Sequence, residues 1–231
     1  MAFVSSYLGS KAASGAYQAI IANMPPHDTY IETHLGSGAI MKRKPLALRS
    51  IGIDIDTMVI ERFDGIAGVK LHHGDAIAFL RQFDYSTAGR VLVYSDPPYL
   101  HSTRTSLKRY RYEYTENDHR ALLSVLRELA TSGVAVMLSG YPSALYDTLL
   151  PGWRTLEFQV MTRGGVRTEK LWLSFEANST HWSTFAGNNF TDRQRIKRKA
   201  LRWAKKYVSL PALERVAVLA ALLASEQEWE S

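Results

Sequence analysis

Two consecutive prolines constrain this chain most, because they fix the point at which one buried strand must end. Val91-Leu92-Val93-Tyr94 is a short apolar run, rich in β-branched and aromatic residues, that predicts a buried strand. Pro97 and Pro98 have no backbone N–H to donate to a sheet, so the strand stops near Asp96. Open α/β sheets place their ligands at the carboxyl ends of strands. We therefore take Asp96, Pro97, Pro98 and Tyr99 as the candidate catalytic residues.

The chemistry of these four residues suits a planar amino group. The Asp96 carboxylate and the Pro97 carbonyl could accept its two N–H bonds, and the ring of Tyr99 could stack on a flat base. A proline-rich turn with an unrelated Asp and Tyr would give the same residues. The rest of the chain has to decide between the two interpretations.

Strand and helix patterns alternate along the chain up to this point. Predicted strands at 29–32, at 51–54 and within the segment 69–76 are each followed by a turn with Gly or Asp and then by a predicted helix. This alternation predicts an α/β fold with a mostly parallel sheet and helices on both faces. After residue 150, two segments of alternating polarity flank a predicted turn at 161–168. They predict a C-terminal β-hairpin at the far edge of the sheet.

Glycines and carboxylates recur where the predicted strands end. Gly36 and Gly38 follow the first strand, and the lack of a side chain lets the backbone there approach a ligand. Asp54 ends the second strand, where an acid accepts hydrogen bonds from ribose hydroxyls in nucleotide-binding α/β proteins. Asp75 follows the third strand and could accept an adenine amino group. A helix N-cap is the alternative for Asp75, and the two roles are compatible.

Positive charge points to a polyanionic partner. The formal net charge is +6 and the pI is about 9.5. Basic and aromatic residues mix in the loop at 100–114, Arg163 and Arg167 belong to the predicted hairpin turn, and Thr191-Asp192 is predicted to cap a basic helix. A solvated surface is the alternative for the loop and for the hairpin turn. The candidate nucleic-acid contacts are Arg104, Lys108, Arg109, Arg111, Arg163, Arg167, Arg195, Arg198 and Arg202.

Length and composition predict one main domain at 1–176, a polar linker at 177–190 and a small basic helical tail at 191–231. No apolar stretch reaches the roughly 18–20 residues of a membrane span, and the first residues do not resemble a secretory signal. We therefore expect a cytoplasmic protein without a membrane partner. The chain has no cysteine, and His72-His73 lacks a third ligand at useful spacing, so no metal site is expected.

Taken together, these motifs resemble the Dam-like N6-adenine-specific DNA methyltransferases, in the compact form found in phages and prophages. The resemblance covers residues 7–175. It rests on the order and spacing of Tyr7-Leu8-Gly9-Ser10-Lys11, Tyr30-Ile31-Glu32, Gly36-Ser37-Gly38-Ala39, Ile53-Asp54, Gly74-Asp75-Ala76, Asp96-Pro97-Pro98-Tyr99 and Leu138-Ser139-Gly140-Tyr141.

The resemblance implies a Rossmann-like fold that binds S-adenosyl-L-methionine. By the same resemblance, the cofactor-binding residues are Tyr7, Lys11, Glu32, Gly36, Gly38, Asp54 and Asp75. The implied reaction transfers a methyl group to the N6 atom of an adenine that is flipped out of double-stranded DNA. The implied enzyme is a site-specific adenine DNA methyltransferase, which needs no metal.

Two departures limit what the resemblance implies. Thr33-His34-Leu35 stands where the family usually has Pro-Phe, and the interval from Asp75 to Asp96 is too short for a target-recognition domain. We therefore expect short or relaxed sequence specificity. Two alternatives stay open: another planar amino acceptor (an RNA adenine, cytosine N4 or a protein glutamine), or a nucleic-acid-binding module without catalysis.

Overall fold

The structure is a computed structural model that describes residues 11, 16–63, 66–104, 110–162, 165–177 and 190–227. Four predicted site residues, Tyr7, Lys108, Arg109 and Arg163, lie outside the described residues, as does most of the predicted linker. The helices and strands, in chain order, are α1 (Ala16–Ala22), β1 (Thr29–Glu32), β2 (Arg49–Asp54), α2 (Thr57–Arg62), β3 (Val69–His73), α3 (Ala76–Gln82), β4 (Val91–Ser95), a 3-10 turn (His101–Thr103), α4 (Glu116–Thr131), β5 (Ala135–Gly140), α5 (Ala144–Leu149), β6 (Arg154–Thr162), β7 (Gly165–Leu173), α6 (Phe190–Val208) and α7 (Ala212–Gln227).

The seven strands form one sheet in the order β3-β2-β1-β4-β5-β7-β6. The first five strands pair in parallel, and β7 pairs antiparallel with both β5 and β6. The strand order reverses between β1 and β4, which are neighbours with Glu32 opposite Tyr94. Ligands bind at such a switch point in open α/β sheets. The predicted Rossmann-like α/β fold with a C-terminal hairpin is confirmed.

Two apolar clusters lie on opposite faces of this sheet, and β4 contributes to both. Val91 and Val93 pack in one cluster, with the leucines of α4, while Leu92 and Tyr94 pack in the other, with Ile20 of α1. Successive side chains of a strand point to opposite faces. Because both faces are covered, β4 is apolar along its whole length, which is typical of a central parallel strand.

Local sequence signals set where several helices begin. Thr115 accepts a hydrogen bond from the Asp118 backbone, and the Asp118 side chain accepts one from Thr115, so α4 begins with the predicted capping box. Asp56 and Asp75 cap α2 and α3 through the backbone N–H groups of Met58 and Ala78. A side-chain cap satisfies backbone N–H groups that have no partner inside the helix.

Three local predictions were wrong. The glycine turn is followed by further turns, with Ile40 O accepting from Arg43 and Lys44, and not by a short helix. The hairpin strands are longer than predicted, so Arg167 lies within β7, opposite Val160, and not on the turn. Backbone pairing continues on β7 through Gly165, Val166 and Arg167, exposed residues that lack the alternation of polar and buried apolar side chains by which a strand is predicted. Helix α6 begins at Phe190, so Asp192 lies in its first turn and pairs with Arg195.

The hairpin extends past the end of β5. Gly140, the last residue of β5, lies opposite Lys170, and residues 165–169 have their register partners in β6 alone among the described strands. This outer part of the hairpin, residues 158–162 paired with 165–169, therefore lies beyond the carboxyl end of β5.

Residue contacts divide the chain into two compact units, residues 1–185 and 186–231. The first unit holds the sheet. The second holds α6 and α7, whose exposed apolar residues include Leu201, Trp203 and Leu213. The predicted boundaries around the linker stay predictions. None of the helices in the described ranges combines the length and the apolar character that a membrane crossing needs.

Candidate active site

A cleft opens at the switch point, along the carboxyl ends of β1 to β4. It encloses about 880 Å³ of space between atoms, including the part that is open to solvent. Of the described residues predicted for catalysis or cofactor binding, those that line it are Lys11, Glu32, Gly36, Asp54, Asp75, Asp96, Pro97 and Pro98. The lining does not include Gly38 or Tyr99 among the described residues.

Asp54 stands at one end of the cleft, held by backbone N–H groups. Its carboxylate accepts from Gly36 N and from Asp56 N, each at 2.9 Å. Asp54 is 8% exposed, and burial raises the pKa of its carboxyl. These bonds tie the glycine turn after β1 to the end of β2 and fix the carboxylate at the cleft.

Gly38 shapes the turn that borders this end of the cleft. Its φ is +63°, a region that favours glycine, and a Cβ there would lie 2.3 Å from Phe63 Cε2. Any side chain at this position would therefore strain the backbone and displace the Phe63 ring. The predicted need for glycine here has two physical causes, conformation and space.

Asp75 and Ile55 complete this end of the cleft. Asp75 is exposed and accepts from Ala78 N at 2.8 Å, so it caps α3 while it lines the cleft. Ile55 is 43% exposed and offers an apolar surface between Asp54 and Asp56. Our sequence analysis missed Ile55. The sequence signal that could have identified it is an apolar residue directly after the acid that ends a strand.

Asp96 stands at the other end of the cleft, held by side chains. Lys11 Nζ donates to both carboxylate oxygens, at 2.6 and 2.7 Å, and Ser139 Oγ donates to Oδ1 at 2.8 Å. Tyr94 supports Ser139 through a 3.0 Å bond between the two hydroxyls. The structure therefore places Lys11, predicted to bind the cofactor, against the candidate catalytic carboxylate.

Tyr99 lies behind Asp96 and is 6% exposed. Its hydroxyl accepts from Lys11 and donates to Glu169 Oε1 at 3.1 Å. Its ring contacts the Tyr141 ring edge-on, with 4.4 Å between the ring centroids. Burial raises the pKa of Tyr99 well above its usual value. Its stacking on a substrate base stays a prediction, since the ring is buried in this structure.

Glu169 joins the cluster from β7, and our sequence analysis missed it. Its Oε2 lies 3.6 Å from Lys11 Nζ. Burial raises the pKa of Glu169, although the Lys11 ammonium opposes this. Burial by itself would lower the pKa of Lys11, but the carboxylates of Asp96 and Glu169 outweigh it and raise that pKa. The available signal was a glutamate on the same strand face as Leu171 and Leu173.

Glu32 and Thr33 lie between the two ends of the cleft. Glu32 is 3% exposed and accepts from Tyr30 Oη at 3.0 Å. Burial raises the pKa of Glu32 to about 8, against the effect of the Tyr30 hydrogen bond. Thr33 Oγ1 donates to Ser95 Oγ at 3.0 Å, which joins the ends of β1 and β4.

A segment after β4, residues 110–114, contributes Tyr110, Arg111, Tyr112 and Tyr114 to the cleft wall. Arg111 Nη1 lies 3.1 Å from Asp56 Oδ1, and Tyr114 Oη lies 3.0 Å from His34 Nε2. Burial lowers the pKa of His34 to about 3, so the imidazole is neutral at physiological pH. These contacts hold residues 110–114 against Asp56 and His34 at the wall of the cleft.

The predicted nucleic-acid contacts differ in exposure. The Arg104 side chain is fully buried and bonds Glu113, with its Nη2 2.7 Å from Oε2. Arg167 is exposed on β7, and Arg111 is 58% exposed although it pairs with Asp56. Three exposed arginines follow one face of α6 at helical spacing: Arg195, Arg198 and Arg202.

Among the described residues, no three His, Cys, Asp or Glu side chains gather into a group that could hold a metal ion. His72 packs against the Phe79 ring, and His73 Nε2 lies 3.1 Å from Ile55 O.

No protein-family model matches the sequence, and no curated protein matches it. Several solved structures are similar in fold. TrmN from Thermus thermophilus has 18% identity and a TM-score of 0.46 over 70% of this chain and 51% of that chain. The O-methyltransferase TomG from Streptomyces achromogenes, solved with SAM, has 15% identity and a TM-score of 0.46 over 68% of this chain and 77% of that chain.

The 23S rRNA methyltransferase ErmE has 13% identity and a TM-score of 0.46 over 89% of this chain and 91% of that chain. The chain spans about half the length of TrmN. At these identities the likeness concerns the fold alone, and the chemistry has to come from the residues of the cleft.

Proposed function

We propose that this chain is an S-adenosyl-L-methionine-dependent methyltransferase that acts on the N6 amino group of adenine in DNA. The observation that carries the proposal is the state of Asp96. Its carboxylate is 15% exposed at the switch point of the sheet, and both of its oxygens already accept hydrogen bonds from a nitrogen donor, at 2.6 and 2.7 Å. An amino group that donates to Asp96 would take the place of this nitrogen donor.

The other end of the cleft fits an adenosine-containing cofactor. Asp54 presents a fixed carboxylate suited to ribose hydroxyls, Asp75 is exposed to accept an amino group, and Ile55 offers an apolar surface to a flat ring. The Gly36 turn brings backbone close to the same space. S-adenosyl-L-methionine supplies, when bound, a methyl group on a sulfonium leaving group.

The residues around Asp96 would make the adenine amino group a better nucleophile. The N6 lone pair is delocalised into the ring, so hydrogen bonds from N6–H to Asp96 and to the Pro97 carbonyl favour a more pyramidal nitrogen. The Asp96 carboxylate, whose side chain is 15% exposed, also stabilises the positive charge that develops on N6. Ser139 keeps the carboxylate oriented through its 2.8 Å bond. The same carboxylate is placed to take the proton that N6 releases after transfer.

Charge supports DNA as the macromolecule that carries the adenine. The chain has a net charge of +6, and α6 presents Arg195, Arg198 and Arg202 on one exposed face. Between Asp75 and Asp96 the structure has only α3, its connection and β4, so this interval holds no recognition domain. Phosphate contacts carry little sequence information, which supports a short or degenerate target. The target base has to leave the helix stack to reach the cleft.

The direct test is to identify the methylated product. Purified protein is incubated with methyl-labelled cofactor and with DNA, RNA or protein, and the products are digested and analysed by mass spectrometry. We expect label on N6-methyldeoxyadenosine. Label on cytosine, on RNA or on glutamine would replace the proposed acceptor, and no transfer to any substrate would overturn the proposal.

The proposed role of α6 predicts a change in salt dependence. Replacing Arg195, Arg198 and Arg202 together with glutamine should make the plot of log affinity against log salt less steep. The magnitude of its negative slope should fall by about 2.7, because each phosphate contact contributes about 0.9. Fluorescence anisotropy with duplex DNA over a salt series measures it. The matched control replaces Arg62, Arg81 and Arg127, exposed on α2, α3 and α4, which removes the same charge. Equal slopes in the two triple variants would show that α6 makes no special contribution.

A further inference from the structure

Lys11 occupies the position that an acceptor amino group would need. Its ammonium donates to both oxygens of Asp96, at 2.6 and 2.7 Å. If the proposed function is right, an adenine N6 that donates to Asp96 has to displace this ammonium. Binding of the acceptor is then an exchange of one nitrogen donor for another.

The displaced ammonium needs another partner inside the protein. Lys11 is 3% exposed, and a buried charge that loses its partner costs several kcal/mol. Without a second acceptor, Lys11 would stay on Asp96 and compete with every substrate. A nearby carboxylate with an unused oxygen would remove that cost.

Glu169 has such an oxygen. No hydrogen-bond donor from the described part of the chain reaches its buried Oε2, which lies 3.6 Å from Lys11 Nζ. The other oxygen, Oε1, accepts from the Tyr99 hydroxyl at 3.1 Å, and this bond fixes the carboxylate. A movement of less than about 1 Å would bring Nζ within hydrogen-bond distance of Oε2.

We propose that Glu169 is a positioning residue that receives Lys11 when an acceptor amino group binds Asp96. Tyr99 bridges the exchange, because its hydroxyl accepts from Lys11 and donates to Glu169. The ammonium moves between two carboxylates and keeps one hydrogen bond throughout. The cluster holds two acids and one base in either position, so its net charge is unchanged.

The test compares acceptor binding in four proteins: wild type, Glu169→Gln, Lys11→Met and the double variant. Glu169→Gln should raise the KM for DNA roughly tenfold, which corresponds to about 1.4 kcal/mol, and change kcat much less, because Lys11 stays on Asp96. In the Lys11→Met background the same Glu169→Gln change should leave KM unaffected, since no ammonium remains to be moved. A structural role for Glu169 would raise KM equally in both backgrounds.

Dissociation constants for an oligonucleotide with an unpaired adenine, measured by fluorescence anisotropy, give the same comparison without methyl transfer. Glu157→Gln is the matched control, since Glu157 is a glutamate of the same hairpin whose side chain is 55% exposed. It should change neither KM nor the dissociation constant. Far-ultraviolet circular dichroism of each variant checks that it is folded.

The outcomes separate this inference from the proposed function. If wild type methylates adenine but Glu169→Gln leaves KM and the dissociation constant unchanged, Glu169 does not receive Lys11 and the inference is wrong. If no protein transfers methyl but the dissociation constants still depend on Glu169 only when Lys11 is present, the exchange stands and the methyltransferase proposal falls. Equal effects in both Lys11 backgrounds would overturn the inference in either case.

Discussion

The two ends of the cleft hold their carboxylates in different ways. Asp54 is fixed by backbone N–H groups of Gly36 and Asp56, which are neutral and set by the fold. Asp96 is fixed by the charged side chain of Lys11 and by Ser139, which lie 85 residues before it and 43 residues after it. Under the proposed function, the cofactor end is ready to accept a ligand, whereas the acceptor end is filled until a substrate replaces Lys11. This difference predicts that substitutions at the two ends separate cofactor binding from turnover.

The largest effect is expected at the acceptor end. Asp96→Ala should lower kcat by roughly 10³-fold or more, because it removes the group that binds the amino acceptor and stabilises its charge. Cofactor affinity, measured by titration calorimetry, should stay close to that of wild type. The control Asp84→Ala removes an acid from the loop after α3. Turnover near wild type in a folded Asp96→Ala protein would end the assignment of this residue.

A smaller and opposite effect is expected at the cofactor end. Asp54→Ala should weaken cofactor binding by roughly 1–3 kcal/mol, the cost of losing hydrogen bonds in a buried site. At saturating cofactor, kcat should fall much less than in Asp96→Ala. Calorimetry and steady-state kinetics on the same preparations measure both quantities. Unchanged cofactor affinity would show that Asp54 serves only the glycine turn.

The stability of the fold should be sensitive to acid through His119, which packs against Tyr114 of the cleft wall. His119 is fully buried, contacts the Tyr114 ring edge-on and lies 2.7 Å from Tyr146 Oη, and burial lowers its pKa to about 4. The unfolded chain then binds a proton that the folded chain does not, between about pH 6.5 and 4. Stability present above pH 6.5 should therefore fall as the pH falls, by at most about 1.4 kcal/mol per pH unit from this group.

His119→Gln removes the titrating imidazole and keeps an acceptor for Tyr146. Urea unfolding at several pH values should give a shallower decline for this variant than for wild type. Parallel curves of unfolding free energy against pH would mean that His119 does not contribute to the acid sensitivity of the protein.

The smallest effect is expected for the ion pair of Arg111 with Asp56. The Arg111 side chain is 58% exposed, and such pairs contribute about 0–1 kcal/mol. If the pair mainly holds the 110–114 segment at the cofactor end, Arg111→Gln should weaken cofactor binding by less than about fivefold and leave the salt slope of DNA binding unchanged. A reduced salt slope would instead support the predicted contact of Arg111 with nucleic acid.

The same contrast explains how much of the molecule could be predicted from its sequence. The strand at 29–32 and the helix cap at Asp75 are predicted where the structure shows them, because strand ends and helix caps depend on residues that are neighbours in sequence. The cofactor end follows from these local signals, since Asp54 and Gly36 border a strand and a turn.

The acceptor end could be predicted only in part. The two prolines that follow Asp96 mark it as a candidate in the sequence. Nothing in the sequence near Glu169 shows that Tyr99, 70 residues earlier, will contact it. The predicted cofactor role of Lys11 came from a resemblance, and its contact with Asp96 depends on the folded chain. Arg104 looks like a surface cation in sequence, yet Glu113 pairs with it in a buried position. Contacts between distant side chains carry no periodic pattern.

The outer part of the β6–β7 hairpin can change in length without disturbing the pairing of β7 with β5. Lys170 is the first residue of β7 that pairs with β5, so residues added in pairs between Thr162 and Gly165 would leave that register as it is. Each added pair, with one residue in each strand, would lengthen the hairpin by about 3.3 Å. Variation in length, in nature or by engineering, is tolerated best at such sites. A library of hairpin lengths could therefore alter how the protein engages a large substrate while Glu169, at the base, stays in position.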